Sequence, residues 1–332
     1  MTSIKKPLAV VILAAGKGTR MKSTLPKVLH PLLGKPMLSY VLDTAQSLKP
    51  LKNILVVGHQ ADRVKEAFPN WPGIFIRQMP QLGTGHALQV TRKELESFQG
   101  TVLVLSGDVP LIEKRTLKKL LQVHERSQAV LTLISTEIED PKGYGRIIRD
   151  LQGHLVRIVE EKDATPRERP IREINSGLYC FNSDFLFSGL SRLTRKNSQK
   201  EYYLTDLVQM ARDKGQRVAA FLQSRSEEVL GVNDRAELAR LSQVLRQRIL
   251  QDWMHQGVSI LDPVTTYIES SVRIGRDTVI GPFTSLLGKT RVGSRCHIQS
   301  HVVIDSATIK DGTTLPPFSY LKNEGSSKRP KN

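Results

Sequence analysis

The sequence predicts an α/β protein: a doubly wound, Rossmann-like domain on a parallel sheet, followed by a short parallel β-helix. Three observations carry this reading. Short runs of Val, Ile and Leu alternate with amphipathic stretches from residue 8 to about residue 110. A long stretch, Asp234 to Gln256, contains neither Gly nor Pro. Beyond it Ile268, Ile274, Ile280, Leu286, Val292, Ile298 and Ile304 recur at a spacing of six.

Leu8 to Ala15, Ile54 to Gly58, Ile74 to Ile76 and Val102 to Leu105 read as strands, because continuous apolar runs without alternation suit strands covered on both faces. Ligands of such sheets bind where loops leave the carboxyl ends of the strands. From Ala129 to Val232, strands such as Val130 to Ser135 and Leu178 to Phe181 alternate with turn-rich segments and complete the same domain, 1–233. Leu238, Leu241, Leu245, Ile249 and Trp253 then recur at helical spacing ahead of Gly257, so 234–257 is expected to form a linking helical arm with an apolar packing stripe. The period of six places one aliphatic side chain on each short strand of a solenoid, with Gly275, Gly281 and Gly293 directly after three of them. This assigns 258–318 to the β-helix and 319–332 to a basic flexible tail. A solenoid of few coils leaves apolar ends, which predicts self-association as a trimer.

Cys180 and Cys296 are the only cysteines, without metal-ligand spacing, so neither a disulfide framework nor a zinc site is indicated and a reducing, cytoplasmic location is expected. Lys5 and Lys6 ahead of Leu8 to Ala15 imitate a secretion signal, but Gly16-Lys17-Gly18-Thr19-Arg20 is no cleavage site. The apolar run is also far shorter than the roughly 20 residues that span a bilayer. A net charge of +17 favours polyanions, yet the basic residues are scattered and aromatics are only 5%, so neither nucleic acid nor membrane is an expected partner.

The first strand leads into Leu13-Ala14-Ala15-Gly16-Lys17-Gly18-Thr19-Arg20-Met21, then Pro26-Lys27. Small residues let backbone N–H groups approach a polyphosphate, a following helix start would add its positive end, and Arg20 and Lys27 supply cations. No Gly-Lys-Ser/Thr closes a Walker A loop, and Met21 stands where a dinucleotide fingerprint has its third Gly. Taken alone, such a turn is as readily structural as functional. Asp108, just past the Val102 to Leu105 strand, is placed to hold a hard cation near a phosphate. Read alone, Asp108-Val109-Pro110 is also compatible with a turn and Asn233-Asp234 with a helix cap.

The string Leu13 to Met21 with Pro26-Lys27 resembles the signature of the sugar-phosphate nucleotidyltransferases. The resemblance continues through Gln81-Leu82-Gly83-Thr84-Gly85-His86-Ala87, Gly107-Asp108-Val109-Pro110, Gly143-Tyr144-Gly145-Arg146, Val159-Glu160-Glu161-Lys162-Asp163, Glu173-Ile174-Asn175-Ser176-Gly177, Glu201-Tyr202-Tyr203 and Gly231-Val232-Asn233. Within that group the chain is similar to the bifunctional bacterial enzymes that make UDP-N-acetylglucosamine, which pair a uridyltransferase with a left-handed β-helix acetyltransferase. The resemblance implies transfer of UMP from UTP to N-acetylglucosamine 1-phosphate with Mg2+. Leu13, Ala14, Ala15 and Gly16 are then expected to hold the nucleotide, and Arg20 and Lys27 to face its phosphates. Gln78 should present donor and acceptor to the uracil, with Gly83 and Thr84 completing that wall. Ser106, Gly107, Gly145, Glu160 and Asn175 should line the sugar pocket, and Asp108 and Asn233 hold the Mg2+.

Two departures qualify the resemblance. The repeat region is short, His297 and His301 lie within it as solenoid surface, and acetyl transfer is not expected. Ser106 stands where the uridyltransferases usually carry an aromatic residue, which opens the choice of sugar, and the alternative enzyme is a uridylyl- or thymidylyltransferase for another hexose 1-phosphate. A non-catalytic sugar-nucleotide sensor or oligomeric scaffold is the rival from another class. Retention of Arg20, Lys27, Asp108 and Asn233 together argues against it.

Overall fold

The computed structural model describes residues 6–323. The chain forms two compact units, one of residues up to His30 with Pro36–Glu237, the other of Pro31–Lys35 with the chain from Leu238 onward.

In the first unit a nine-stranded sheet runs in the order Val218–Leu222, Leu131–Glu137, Glu173–Asn182, Thr101–Ser106, Leu8–Ala14, Lys52–Val57, Ile74–Arg77, with the hairpin of Arg146–Arg149 and Leu155–Val159 attached to Glu173–Asn182. Alternate residues of the central strands feed two cores. Ala9, Val11, Ile54, Val56, Val102 and Val104 lie in one, and Val10, Ile12, Leu55, Val57, Leu103 and Leu105 in the other. Burial on both faces is why these runs are continuous rather than alternating. Each of the Val, Leu and Ile side chains contributes about 1.5–3 kcal/mol on burial.

The strands read between residues 8 and 110 pair in parallel as expected, and farther along the chain Glu173–Asn182 runs antiparallel to both its neighbours. A parallel crossover requires a covering helix, whereas the chain between Glu137 and Glu173 carries the antiparallel hairpin instead. Leu8–Ala14 pairs with Lys52–Val57 on one side and Thr101–Ser106 on the other, so the winding reverses at this strand. The reversal opens a crevice at the strands' carboxyl ends.

One correction concerns the loop after the first strand, which no α-helix follows. Two short 3-10 turns, Thr19–Met21 and Lys27–Leu29, come first, and the first α-helix is Met37–Gln46. Gly18 and Lys22 on either side of the first turn both adopt the left-handed conformation, which breaks any helical run. The loop therefore lacks an adjoining helix dipole.

On the helix Lys114–Ser127, His124 is buried and its Nδ1 lies 2.9 Å from the Thr132 hydroxyl. Burial first, then the charge of Lys6, pushes its pKa down to about 4. The native value thus lies below the unfolded one, near 6.5, so between these values only the unfolded chain takes up the proton. Stability is expected to fall as pH drops through this window, by about 2 kcal/mol between pH 7 and pH 5. Urea unfolding of His124→Gln should show that much less loss than the parent chain over the same interval; equal losses would refute the assignment.

The second unit begins in the helix Arg235–His255. Its start is capped by Asp234, whose Oδ1 accepts the Glu237 N–H at 2.9 Å. Its end is a Schellman turn, with Gly257 at φ +89°, Val258 N–H on Trp253 O and Gly257 N–H on Met254 O, both at 3.1 Å. Leu250 is buried in the core of this unit, with Ile249 and Trp253 packed against it.

Three parallel sheets of two- and three-residue strands follow, the faces of a left-handed β-helix. Ile280 stacks on Ile298, eighteen positions on, so three periods of six make one coil. All seven residues at the six-residue spacing point inward, none more than 8% exposed. The strand Tyr320–Lys322 pairs with Val303–Asp305, so the solenoid runs past residue 318, where the sequence reading ended it. The rest of the expected basic tail, residues 324–332, lies outside the described residues. Pro31–Lys35 joins this unit through Leu33, whose carbonyl accepts from Ser270 N–H at 3.1 Å. Among the described residues no helix is long and apolar enough to cross a membrane.

Candidate functional site

At the reversal point the loops after Leu8–Ala14 and Thr101–Ser106 lie side by side, joined by a 2.8 Å bond from Gly107 N–H to Leu13 O. A Cβ at Gly107 would lie 3.1 Å from that of Ala14 and 3.2 Å from both Leu13 O and Leu38 Cδ1, so the close approach favours glycine. Gly18 is more constrained, with φ +62° and the Lys27 Cβ only 2.6 Å from where its own would be. The absence of a side chain at Gly18 leaves room for the Lys27 stem to pass over the loop. Above Gly16 nothing lies within 4 Å, leaving its backbone open to a ligand.

Four polar side chains from distant parts of the sequence meet here. Lys27 Nζ lies 2.5 Å from Asp108 Oδ2 and 3.2 Å from Asn233 Oδ1, and Arg20 Nη2 donates to the same Asn233 oxygen at 2.8 Å. Val232 N–H bonds Asp108 O at 2.8 Å, which ties the segment Gly231 to Asn233 to the Asp108 turn. The Asn233 side chain is therefore not the helix cap, a role filled by Asp234. Burial pushes the Asp108 carboxyl up, but the Lys27 charge and hydrogen bonds from Lys27 and Ser106 outweigh it and hold the group below the usual carboxylate range. Asp108 is anionic at neutral pH.

Two oxygen donors, Asp108 Oδ2 and Asn233 Oδ1, face one ammonium. An all-oxygen pair with an anionic member fits a hard divalent cation that keeps most of its water. Among the described residues no group of three or more His, Cys, Asp or Glu has metal-binding geometry, which leaves this sparse pair as the candidate.

Ser106, expected at the sugar, donates its hydroxyl to Asp108 Oδ1 at 2.7 Å. Gln78 is 3% exposed, and its amide nitrogen donates to Gly83 O at 2.9 Å and lies 3.2 Å from His86 Nδ1, so its donor side is committed within the protein. Burial, with a smaller contribution from Arg195, lowers the His86 pKa against the raising effect of a hydrogen bond that the ring donates to the Pro80 carbonyl, leaving a neutral ring able to accept from Gln78. Thr84 likewise turns its hydroxyl to Leu204 N–H at 3.1 Å. Gln81, quoted in the signature but given no role, places its amide on Ala15 O and so braces the glycine-rich loop.

Gly145, Glu160 and Asn175 come together on the hairpin side of the sheet. Asn175 N–H donates to Gly145 O at 2.9 Å, and its side chain donates to Tyr179 OH at 2.6 Å and accepts from Gly177 N–H at 3.1 Å. Glu160 accepts from Thr205 Oγ1 at 3.0 Å. Burial raises its pKa most; the Thr205 bond opposes this, while Asp206, Asp163 and Glu201 add to the rise. Tyr179 and Thr205 carry no signal in the sequence, because their roles come only from these contacts. Arg146, inside the quoted Gly143 to Arg146 string, braces the same region and was legible only as a motif letter.

A glycine-rich loop, two cations and an oxygen pair at a sheet's reversal point define an α/β enzyme of nucleotide chemistry. A family model described as nucleotidyl transferase matches residues 9–255, and one described as bacterial transferase hexapeptide matches 271–306. Relatives named bifunctional protein GlmU include those of Pelobacter propionicus, 47% identical over 95% of this chain and 69% of the relative, and Geobacter metallireducens, 48% identical over 91% and 64%. That of Clostridioides difficile is 47% identical over 94% and 71%. The chain belongs to the GlmU family of nucleotidyl transferases with hexapeptide repeats. It spans about two-thirds of the length of these curated relatives.

Proposed function

We propose that this chain, in the cytoplasm, transfers UMP from UTP to N-acetylglucosamine 1-phosphate and releases pyrophosphate. The observation that carries the reading is the convergence of Arg20, Lys27, Asp108 and Asn233 at the reversal point of the sheet. Binding alone would not require a carboxylate and an amide oxygen turned toward one centre of positive charge.

A phosphate monoester oxygen is already anionic near neutral pH, so its attack on the α-phosphorus needs alignment and charge neutralisation rather than a base. Leu13, Ala14, Ala15 and Gly16 offer their backbone to the nucleotide. Arg20 and Lys27 take up charge gathering on the departing pyrophosphate. Asp108 and Asn233 would hold Mg2+, which when bound supplies Lewis-acid neutralisation of phosphate oxygens. Gln78, Gly83 and Thr84 border the base. Gly107, Gly145, Glu160 and Asn175 line the sugar side, where Glu160, crowded by acids, offers a hydrogen-bond site to sugar hydroxyls. No side-chain nucleophile is needed, and the displacement is direct.

A pyrophosphate-release assay with Mg2+, four nucleoside triphosphates and a panel of sugar 1-phosphates tests this. UTP with N-acetylglucosamine 1-phosphate should lead, and no release with any pair would sink the reading in favour of a binding scaffold. Preference for another hexose 1-phosphate is the second reading, favoured by the small, engaged Ser106.

The proposal includes a homotrimer through the β-helix. Phe283, His301 and Phe318 stack in register at 4.8 Å spacings, and the two Phe rings are 55% and 77% exposed. Exposed aromatic patches of this kind mark association surfaces. This clamp on His301 also speaks against a role for it in acetyl transfer. Replacing Phe283 and Phe318 together by Asp should shift the sedimenting mass to a monomer; an unchanged mass would exclude this face.

A further inference from the structure

The geometry points to Ser106 as a positioning residue that fixes the plane of the Asp108 carboxylate, so that one of its oxygens faces the metal. Ser106 is the last residue of the strand Thr101–Ser106, a central strand hydrogen-bonded on both sides, so its Cβ is set by the sheet rather than by a loop. Its hydroxyl donates to Asp108 Oδ1 at 2.7 Å, while Oδ2 of the same carboxylate lies 2.5 Å from Lys27 Nζ. The carboxylate is thus held at both ends by partners of different kind.

The backbone around it adds to the constraint. Val109 N–H bonds Ser106 O at 3.2 Å, closing the turn that carries Asp108, and Asp108 O accepts from Val232 N–H at 2.8 Å. Gly231 runs past Oδ1 closely enough that a Cβ there would lie 3.4 Å from it. With its main chain pinned, the remaining freedom of Asp108 is rotation of the carboxylate. Without the hydroxyl, the plane could rotate about the Cβ–Cγ bond and turn its inward oxygen away from Asn233 Oδ1. Ser106 removes that freedom, leaving Oδ2 and Asn233 Oδ1 turned to the same centre. Hydrogen bonds to metal-ligating groups typically account for about 10–100-fold in metal affinity.

This inference rests on the nucleotidyltransferase reading, and the experiment separates the two. Mn2+ binding to the whole chain is followed by electron paramagnetic resonance of the free ion, with UTP present, in the parent protein and in Ser106→Ala, Ser106→Thr and Asp108→Asn. Ser106→Ala is expected to weaken Mn2+ binding about 10-fold or more, Ser106→Thr to keep the parent affinity, and Asp108→Asn to abolish protein-dependent binding. In pyrophosphate release, the Ser106→Ala defect should fall on the metal concentration needed for half-maximal rate rather than on kcat. A structural role alone would leave the metal dependence unmoved. Binding lost in Asp108→Asn but unchanged in Ser106→Ala overturns this proposal and spares the parent reading. Parent protein with no Mn2+ binding that depends on Asp108 overturns both.

Discussion

Asp108→Ala is expected to lower pyrophosphate release by about 10³-fold or more while leaving the fold intact. The large effect follows from the position of one carboxylate. Asp108 is the anionic partner of Lys27 and, with Asn233, supplies the oxygens directed at the centre of positive charge. Its removal takes away the candidate metal ligand and frees the Lys27 ammonium to collapse onto Asn233 or the phosphates in an unproductive pose. The fold should survive because the structural bond at this position, Val232 N–H to Asp108 O, comes from the backbone. Circular dichroism and the unfolding midpoint should therefore change little. Near-normal turnover in a well-folded Asp108→Ala protein would remove Asp108 from the machinery altogether.

What the sequence made legible has a physical pattern. Ala9 to Ile12, Ile54 to Val57 and Val102 to Leu105 were visible as strands because the sheet has a core on each face, and every residue of such a strand must be apolar. The solenoid was visible because each coil repeats its inward positions, so burial of Ile268 or Ile298 follows from spacing alone. Side-chain partnerships were not visible. Lys27 and Asn233 are 206 positions apart, and nothing local tells a lysine in a loop which carboxylate it will meet. Gln78 shows the same limit: nothing in a signature loop tells an amide that its nitrogen will meet Gly83 O and His86. The antiparallel course of Glu173–Asn182 also escaped, because strand direction is decided by what connects the strands and not by their composition.

Arg146 carries the second large effect, on stability and on the sugar side of the site. It is 2% exposed, and its guanidinium reaches in three directions: Nε donates to Arg169 O at 3.1 Å, Nη1 to Tyr144 O, and Nη2 pairs with Glu161 Oε2 at 2.7 Å. The same Glu161 oxygen accepts the Gly143 N–H at 3.2 Å, so one cation ties the Gly143 to Gly145 loop to the segment after Leu155–Val159. Arg146→Ala leaves two backbone carbonyls without their donor, a carboxylate without its partner and a cavity the size of the lost side chain. The expected cost is about 3 kcal/mol, near the low end for a broken buried pair because Glu161 retains some contact with water. In a unit of this size that corresponds to a fall in Tm of roughly 6–12 °C. Arg146→Lys should recover only part of it, since an ammonium on a flexible stem does not reproduce a planar fork. Because Gly145 O is the acceptor for Asn175 N–H, loosening the loop should raise KM for the sugar 1-phosphate more than KM for UTP. An Arg146→Ala protein that melts with the parent and shows equal changes in both constants would mean that the loop is held by its own backbone and that the buried guanidinium is dispensable.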